Sequence, residues 1–284
     1  MLRFFDLGRL MAAGRNLLDS LETPCENVVF SPTYADVCVA RALLKARGLP
    51  TELVLEILEW AEYEPVREFS STEGQTASAH NRAVRSCLNA GVLTKNTLRD
   101  LKTASVSTKV KEIEFVISSR DQGWTSEGTD GTFQTSSWLE VSIVRPTGLY
   151  PSRALGGGVP PISGAQRPTD LQTMFARRGM TLVTRPEEAG WGIQNGEGHL
   201  AWYLQGNRVA SRGRFSEYRV VWAVNHREGN EGAGDGLGFL EALGEGDRIV
   251  VWARAKYPGW QCVVESVKVN VRYSFTERDS AATA

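Results

Sequence analysis

The clearest hydrophobic pattern in the chain lies between Arg248 and Tyr273, where apolar and polar residues alternate with a period of two. The pattern is interrupted by Tyr257-Pro258-Gly259-Trp260, in which proline presets φ and glycine accepts positive φ, as a type II turn requires. Such alternation around Pro-Gly is typical of half-buried antiparallel strands. We therefore predict a hairpin. The residues that we expect to face inward on its second strand are Val263, Glu265, Val267, Val269, Val271 and Tyr273.

The same period of two begins at Lys109 and recurs as far as residue 275. Further strands are predicted at Trp138 to Val144, near 198–204 and near 215–224, with Gly- and Pro-rich turns between them. Many short strands of this kind favour a sandwich over a parallel sheet. We predict an antiparallel β-sandwich with a jelly-roll, galactose-binding-like fold over residues 109–275, and a frayed tail at 276–284.

Helical spacing of apolar residues dominates residues 1–66 instead. A helix is predicted from Ala35 to Arg47, with Gly48 after its end, and another starts at Leu49-Pro50-Thr51-Glu52. Residues 67–108 are polar and are predicted to be a linker with a short helix near 83–88. A further short helix is predicted at 169–177. The fold class is therefore α+β, mainly β.

Composition narrows the function classes. The net charge of −1 argues against nucleic-acid binding, and no apolar run approaches the roughly 20 residues of a membrane span. Four scattered cysteines without CxxC spacing favour a reducing compartment, cytoplasmic or nuclear. His80, His199 and His226 lack metal-ligand spacing, and no cofactor motif occurs, so neither a metal nor a cofactor is expected.

Two tryptophans follow a glycine in a turn, at Gln122-Gly123-Trp124 and at Pro258-Gly259-Trp260. A tryptophan in a loop at the end of a sandwich can stack on a sugar or another flat ligand, or it can cap the core. If the two turns are adjacent, their polar neighbours line one pocket. The residues predicted to bind a ligand are Asp121, Gln122, Trp124, Arg254, Tyr257 and Trp260.

Glu265 is expected to face inward, and a buried carboxylate needs a partner. Arg254 on the preceding strand is the predicted partner in a structural ion pair. In the alternative reading, Glu265 and Asp121 are an acid and a base of an enzyme.

The segment from Gly48 to Leu58, with Leu49-Pro50-Thr51-Glu52 at its start, resembles the opening of an F-box. In F-box proteins this segment docks on the Skp adaptor of a cullin ubiquitin ligase. The resemblance implies that Leu49, Pro50, Leu53 and Ile57 bind a partner. An amphipathic helix with a proline start explains the same residues without a partner.

The β part is similar to a family of uncharacterised fungal proteins, some of which carry ankyrin repeats. The resemblance rests on Ser119 to Trp124, on Gly131 to Trp138 and on Gly246 to Trp260. It is also similar, more distantly, to F-box-associated glycoprotein-binding domains and phloem lectins. These resemblances imply a sandwich fold more than they imply an activity.

The leading prediction is a non-catalytic recognition protein, in which a degenerate F-box-like helical module at 1–66 is joined to a jelly-roll sandwich. The rim loops of the sandwich are predicted to bind a small molecule, a glycan or a protein. One alternative is a cofactor-free cyclase or isomerase of fungal specialised metabolism that uses a cavity in the sandwich. Another is a structural or interaction protein that uses the loop at 146–168.

Overall fold

The computed structural model describes residues 31–81, 84–101, 106–148, 168–189 and 198–277. From Pro32 onward the described residues belong to one compact unit. Three predicted segments lie largely outside the described residues. They are residues 1–30, residues 149–167 of the loop at 146–168, and the tail after residue 277. The first part of the predicted helical module, most of the predicted interaction loop and most of the predicted frayed tail thus fall outside the described ranges.

Five α-helices occur in the described residues. The first two confirm the predicted helices closely, and Gly48 follows the first with φ of 85°, as expected for a residue that ends a helix. Thr33 and Asp36 cap the first helix by exchanging hydrogen bonds with each other's backbone. The helices are α1 Tyr34–Ala46, α2 Thr51–Trp60, α3 Lys95–Asp100, α4 Pro168–Ala176 and α5 Phe239–Ala242.

Eleven strands are described, and all their pairings are antiparallel. The strands are β1 Val66–Ser71, β2 Gln75–Ser78, β3 Arg85–Ala90, β4 Val106–Arg120, β5 Ser137–Pro146, β6 Met180–Leu182, β7 Trp202–Gly206, β8 Ser216–Ala223, β9 Arg227–Glu228, β10 Arg248–Ala255 and β11 Gln261–Glu277. The protein is therefore β-rich, as predicted.

The strands form two sheets, and one hydrophobic core contains side chains from both. Sheet 1 has the order β1-β11-β4-β8-β9, with β2 pairing the first part of β11. Sheet 2 has the order β3-β10-β5-β6, with β7 pairing the first part of β5. Ile113 and Phe115 of sheet 1 share the core with Val141, Ile143 and Val251 of sheet 2, and all five side chains are fully buried. This is a sandwich-like arrangement of two antiparallel sheets.

The predicted hairpin at 248–273 is wrong in its pairing, although both strands exist. β10 pairs with β3 and β5 in sheet 2, whereas β11 pairs with β1, β2 and β4 in sheet 1. The turn at 257–260 does form, since Trp260 N–H donates to the Tyr257 carbonyl at 3.2 Å and Gly259 has φ of 93°. The turn therefore passes the chain from one sheet to the other. Period-two patterning identifies a strand, but it does not identify the strand's partner.

A β-bulge in β11 corrects the predicted direction of Glu265. Val264 pairs with Ser119 and Ser266 pairs with the adjacent Ser118, so Glu265 is the extra residue. The bulge exchanges the two faces of the strand, so that Val264 rather than Val263 is buried before it. Glu265 is exposed and accepts a hydrogen bond from Ser118 Oγ at 2.6 Å. The prediction that Glu265 faces inward is wrong.

The outer face of sheet 2 is covered, which corrects the expectation of a half-buried strand at β10. Trp252 and Val250 lie on this face and are fully buried, in a second hydrophobic cluster with Leu171 and Phe175 of α4. The helix predicted at 169–177 therefore exists and covers one face of this sheet. Both faces of β10 are buried.

The linker prediction is wrong for residues 67–90, which contain β1, β2 and β3. Each of these strands lies at an edge of its sheet and pairs with one neighbour, β11 for the first two and β10 for the third. Edge strands carry polar residues readily because one of their sides faces solvent. The predicted helix at 83–88 overlaps β3 and is wrong in the same way. α1 and α2 belong to the same compact unit as the sheets.

Candidate functional site

Asp121 organises the loops at one end of the sandwich. Its carboxylate is fully buried and accepts hydrogen bonds from the Gly123 and Ala210 N–H groups, at 2.8 and 2.7 Å, and from Ser211 Oγ at 2.9 Å. These donors are the backbone of its own turn and a second loop far along the chain. Asp121 therefore fixes two loops against each other, as an Asx turn with an additional crosslink. Its oxygens are engaged by these donors, which leaves them poorly placed for acid–base chemistry.

The turn at 121–124 lies beside the turn at 257–260, as the pocket prediction requires. Gln122 Nε2 donates to the Trp124 carbonyl at 2.6 Å, and Gln261 N–H donates to Gln122 Oε1 at 3.3 Å. A side chain added at Gly259 would meet the Trp124 ring at 3.8 Å. The side chain of Gln122 therefore links the two turns.

The aromatic residues of these turns divide into exposed and buried ones. Trp124 is 61% exposed and Tyr257 is 56% exposed, whereas Trp260 is 6% exposed. Tyr257 has φ of 67°, in the left-handed region that non-glycine residues seldom adopt. Strained backbone of this kind is concentrated at functional sites. Trp124 and Tyr257 are therefore accessible to a ligand, whereas Trp260 is buried and is not accessible for stacking.

Arg254 does not join this rim. Its side chain is buried on the outer face of sheet 2, where Nη1 lies 2.8 Å from Glu140 Oε1. The β10–β5 register pairs Arg254 with Trp138 and Trp252 with Glu140, so arginine and glutamate are diagonal neighbours. The predicted Arg254–Glu265 ion pair is wrong because β11 belongs to the other sheet and Glu265 points to solvent.

Glu140 is a buried carboxylate that the sequence analysis did not single out. Besides Arg254, it accepts a hydrogen bond from the Trp138 indole N–H at 3.2 Å, and the Arg254 guanidinium lies 5.6 Å from the Trp138 ring centroid. The neighbouring Ser142 hydroxyl accepts from the Trp252 indole at 3.0 Å. The available signal was the alternation of Trp138, Glu140 and Ser142 on one face of β5. This cluster is a structural network of satisfied polar groups.

Phe215 is another exposed aromatic residue at the rim, with 41% of its side chain accessible. The Arg120 guanidinium lies 5.1 Å from its ring centroid, and Lys256 Nζ lies 5.2 Å from that of Tyr257. Both distances fit cation–π contacts. The sequence analysis missed Phe215 because it directly precedes β8 and was treated as part of the strand.

The F-box-like residues fall at the start and on the exposed side of α2. Pro50 is the residue before the first helical turn, Leu53 is 45% exposed and Ile57 is 37% exposed. Trp60, one turn further on, is 82% exposed. Val54 and Leu58 face the other way and are buried against α1. Leu49 is half-buried in this same small cluster. The helix therefore presents an apolar stripe to solvent.

The thiols of the described residues are free, and Cys262 is fully buried. Burial raises the pKa of Cys262 to about 11, although hydrogen bonds from Ser137 and Asn207 act in the opposite direction. Burial also raises the pKa of Cys87. Such thiols are poor nucleophiles at neutral pH. Within the described ranges, no group of His, Cys, Asp and Glu has the arrangement of a metal site.

None of the helices in the described part of the chain has the length and apolar character needed to cross a bilayer. Comparison with protein-family models gives no match, and comparison with curated proteins gives none either. Among solved structures, a turnip yellow mosaic virus chain matches with 8% identity and a TM-score of 0.17, covering 77% of this chain and 86% of the viral one. An empty head of the same virus matches with 7% identity, a TM-score of 0.16 and the same coverage. Similarity at this level supports no conclusion about function.

Proposed function

We propose that this protein is a recognition protein that binds a glycan through the rim formed by the turns at 121–124 and 257–260. The observation that carries the proposal is the pair of exposed aromatic side chains, Trp124 and Tyr257, on adjacent turns that Asp121 and Gln122 fix in place. Exposed rings on a rigid support can stack on the apolar face of a sugar, and a fixed backbone reduces the entropy lost on binding.

The test is a binding screen of the intact chain against a glycan panel, followed by titration calorimetry of each sugar that binds. Trp124→Ala should weaken binding about tenfold, because one lost stacking contact is worth about 1.4 kcal/mol. Trp60→Ala is the matched control, since it removes another exposed tryptophan that lies outside the rim. Equal loss in both variants, or no loss in either, would contradict the proposal.

A second candidate function is docking of a Skp-type adaptor on α2. The observation in its favour is the exposed apolar stripe of Leu53, Ile57 and Trp60, which follows the F-box-like start at Leu49-Pro50. A purified adaptor should bind the intact chain and lose binding to Leu53→Asp/Ile57→Asp. Binding to Trp124→Ala should not change. Circular dichroism of the double variant checks that the helix remains folded, and unchanged binding by a folded double variant would exclude this function.

The enzyme alternative has less support from the residues on which it depends. Asp121 is engaged by three backbone N–H groups and a hydroxyl, and Glu265 is exposed on a bulge. An acid–base pair of the proposed kind would need to share a water-excluding pocket. These two carboxylates meet neither condition, so we do not assign them catalytic roles.

We propose that the sandwich is a jelly roll. The strand orders support this, because β1 lies beside β11 in sheet 1 and β3 lies beside β10 in sheet 2, so early and late strands alternate as two Greek keys do. We also propose a cytoplasmic or nuclear location, which the free thiols of Cys38, Cys87 and Cys262 support. Imaging of the tagged chain tests the location.

A further inference from the structure

The rim contains a concentration of basic residues that the glycan proposal does not use. The loop at 207–215 carries Arg208, Arg212 and Arg214 and no acidic residue, and all three side chains are exposed. Arg120 and Lys256 flank the two aromatic turns. The chain as a whole has a net charge of −1, so this end of the sandwich is more basic than the rest of the protein.

The basic loop lies directly against the turn that carries Trp124. A Cβ built on Gly123 would lie 2.9 Å from the Gly213 nitrogen and 3.6 Å from the Arg212 carbonyl carbon. Only glycine fits at position 123, both for this contact and for its φ of 93°. Arg212 and Arg214 therefore flank the residue that touches the Trp124 turn.

The backbone of this loop is held in a strained shape. Ala210 and Arg212 have φ of 55° and 52°, and Gly213 has φ of 77°. The Asp121 carboxylate stabilises the loop through the Ala210 and Ser211 N–H groups. Non-glycine residues in this region cost free energy, so the arrangement fits a loop shaped for a ligand.

The acidic residues of the same rim do not neutralise its charge. Glu127 and Asp130 are exposed on the 124–131 loop, Glu217 and Glu265 are exposed on the adjoining ends of β8 and β11, and Asp121 is buried and bound to backbone N–H groups. The five basic residues of the rim therefore outnumber the four exposed acidic ones, none of which lies on the 207–215 loop. An arginine can bind a carboxylate with two parallel hydrogen bonds, which a neutral hydroxyl cannot accept in the same way.

We infer that the ligand of this rim is an acidic glycan, in which a uronic acid ring stacks on Trp124 or Tyr257 and its carboxylate meets Arg212 and Arg214. This inference rests on the proposed glycan-binding function and adds the chemical class of the sugar. The backbone of Arg212 and Gly213 lies against the Trp124 turn, so the long arginine side chains can reach a carboxylate on a sugar stacked there.

The experiment compares a uronic acid tetrasaccharide with its methyl ester, which has the same ring shape and no charge. The intact chain should bind the acid at least about tenfold more tightly than the ester, and added salt should weaken binding of the acid more than binding of the ester. Arg212→Asn/Arg214→Gln should reduce binding of the acid to the level of the ester, with asparagine chosen because it accepts positive φ. Arg177→Gln/Arg178→Gln, after α4, is the matched control and should leave binding unchanged.

The outcomes separate this inference from the proposed function. Equal binding of acid and ester, lost in Trp124→Ala, overturns the acidic class and keeps the glycan site. Binding of neither sugar overturns the inference, and failure to bind any sugar of the glycan panel overturns the proposed function as well. Tighter binding of a single-stranded oligonucleotide than of the uronic acid tetrasaccharide also overturns the inference, since it would identify a polyphosphate-binding surface.

Discussion

The outer faces of the two sheets differ, although both sheets contribute to one core. On sheet 1 the outer face is partly exposed, and it carries ion pairs between strands, such as that of Glu68 with Lys268 at 3.2 Å. On sheet 2 the outer face is covered by α4 and its polar residues, Glu140 and Arg254, are buried. A charged residue in an alternating strand can therefore face solvent or face a second layer, and the alternation is the same in both cases.

The largest expected difference between the two faces concerns their ion pairs. Glu140→Ala leaves the buried Arg254 without this carboxylate and should lower the free energy of unfolding by about 3–5 kcal/mol. Glu68→Ala on sheet 1 is the matched change and should cost about 0–1 kcal/mol, because that pair is solvated. Urea unfolding followed by tryptophan fluorescence measures both.

A double variant sharpens this result. Glu140→Leu/Arg254→Met removes both charges and should be more stable than Glu140→Ala, because no buried charge is left without its partner. Similar destabilisation by Glu140→Ala and Glu68→Ala would mean that the cover over sheet 2 does not exclude water, and the comparison of the two faces would fail.

A smaller difference in stability is expected between two serine substitutions, one on each sheet. Ser142→Ala on sheet 2 removes the acceptor of the Trp252 indole N–H and a donor to the Leu200 carbonyl, and it should cost about 1–3 kcal/mol. Ser118→Ala on sheet 1 removes a hydrogen bond to the exposed Glu265 and should change stability by at most about 0.5 kcal/mol. Thermal unfolding of both variants gives the comparison, and a larger effect at Ser118 would reverse it.

The smallest expected effect is the pH dependence of the stability that Glu114 contributes on sheet 1. Burial tends to raise the pKa of Glu114, but hydrogen bonds from Asn270 and Arg219 outweigh it and hold the pKa below its ordinary value. A carboxylate with a lowered pKa stabilises the folded state above its unfolded pKa of about 4.3, and this stabilisation is lost as pH falls through the folded pKa. Urea unfolding should therefore show that the native chain and Glu114→Gln differ less in their free energy of unfolding as pH falls from about 6 to about 3. A constant difference in the free energy of unfolding across this range would mean that Asn270 and Arg219 do not stabilise the Glu114 carboxylate.

Much of the fold could be predicted from the sequence, because the core strands have strong patterns. The strand at 138–144 and the helices at 35–47 and 169–177 are close to β5, α1 and α4. The edge strands were missed because their polar residues look like those of a linker. The partner of β10 was missed because the turn at 257–260 has the chemistry of a hairpin turn but leads into the other sheet.

The candidate site was predicted in part. The adjacency of the Trp124 and Trp260 turns is confirmed by the Gln122 hydrogen bond and by the contact at Gly259. The placement of Glu265 and Arg254 was wrong for two reasons that sequence alone does not reveal. A single bulge residue reversed one face of β11, and β10 lies in the other sheet, where Arg254 is buried beside Glu140.

The position of β11 has a consequence for how the chain is made. β11 lies between β1 and β4 in sheet 1, yet among the described strands it is the last in the chain, and its residue Arg272 pairs with Val66. During synthesis from the N-terminus, β1 and β2 leave the ribosome before their partner β11, whereas β4 can pair with β8 once β8 has emerged. Sheet 1 is therefore completed only after translation of almost the whole described chain, and until then the free edges of β1, β2 and β4 are open to chaperones and to other nascent chains.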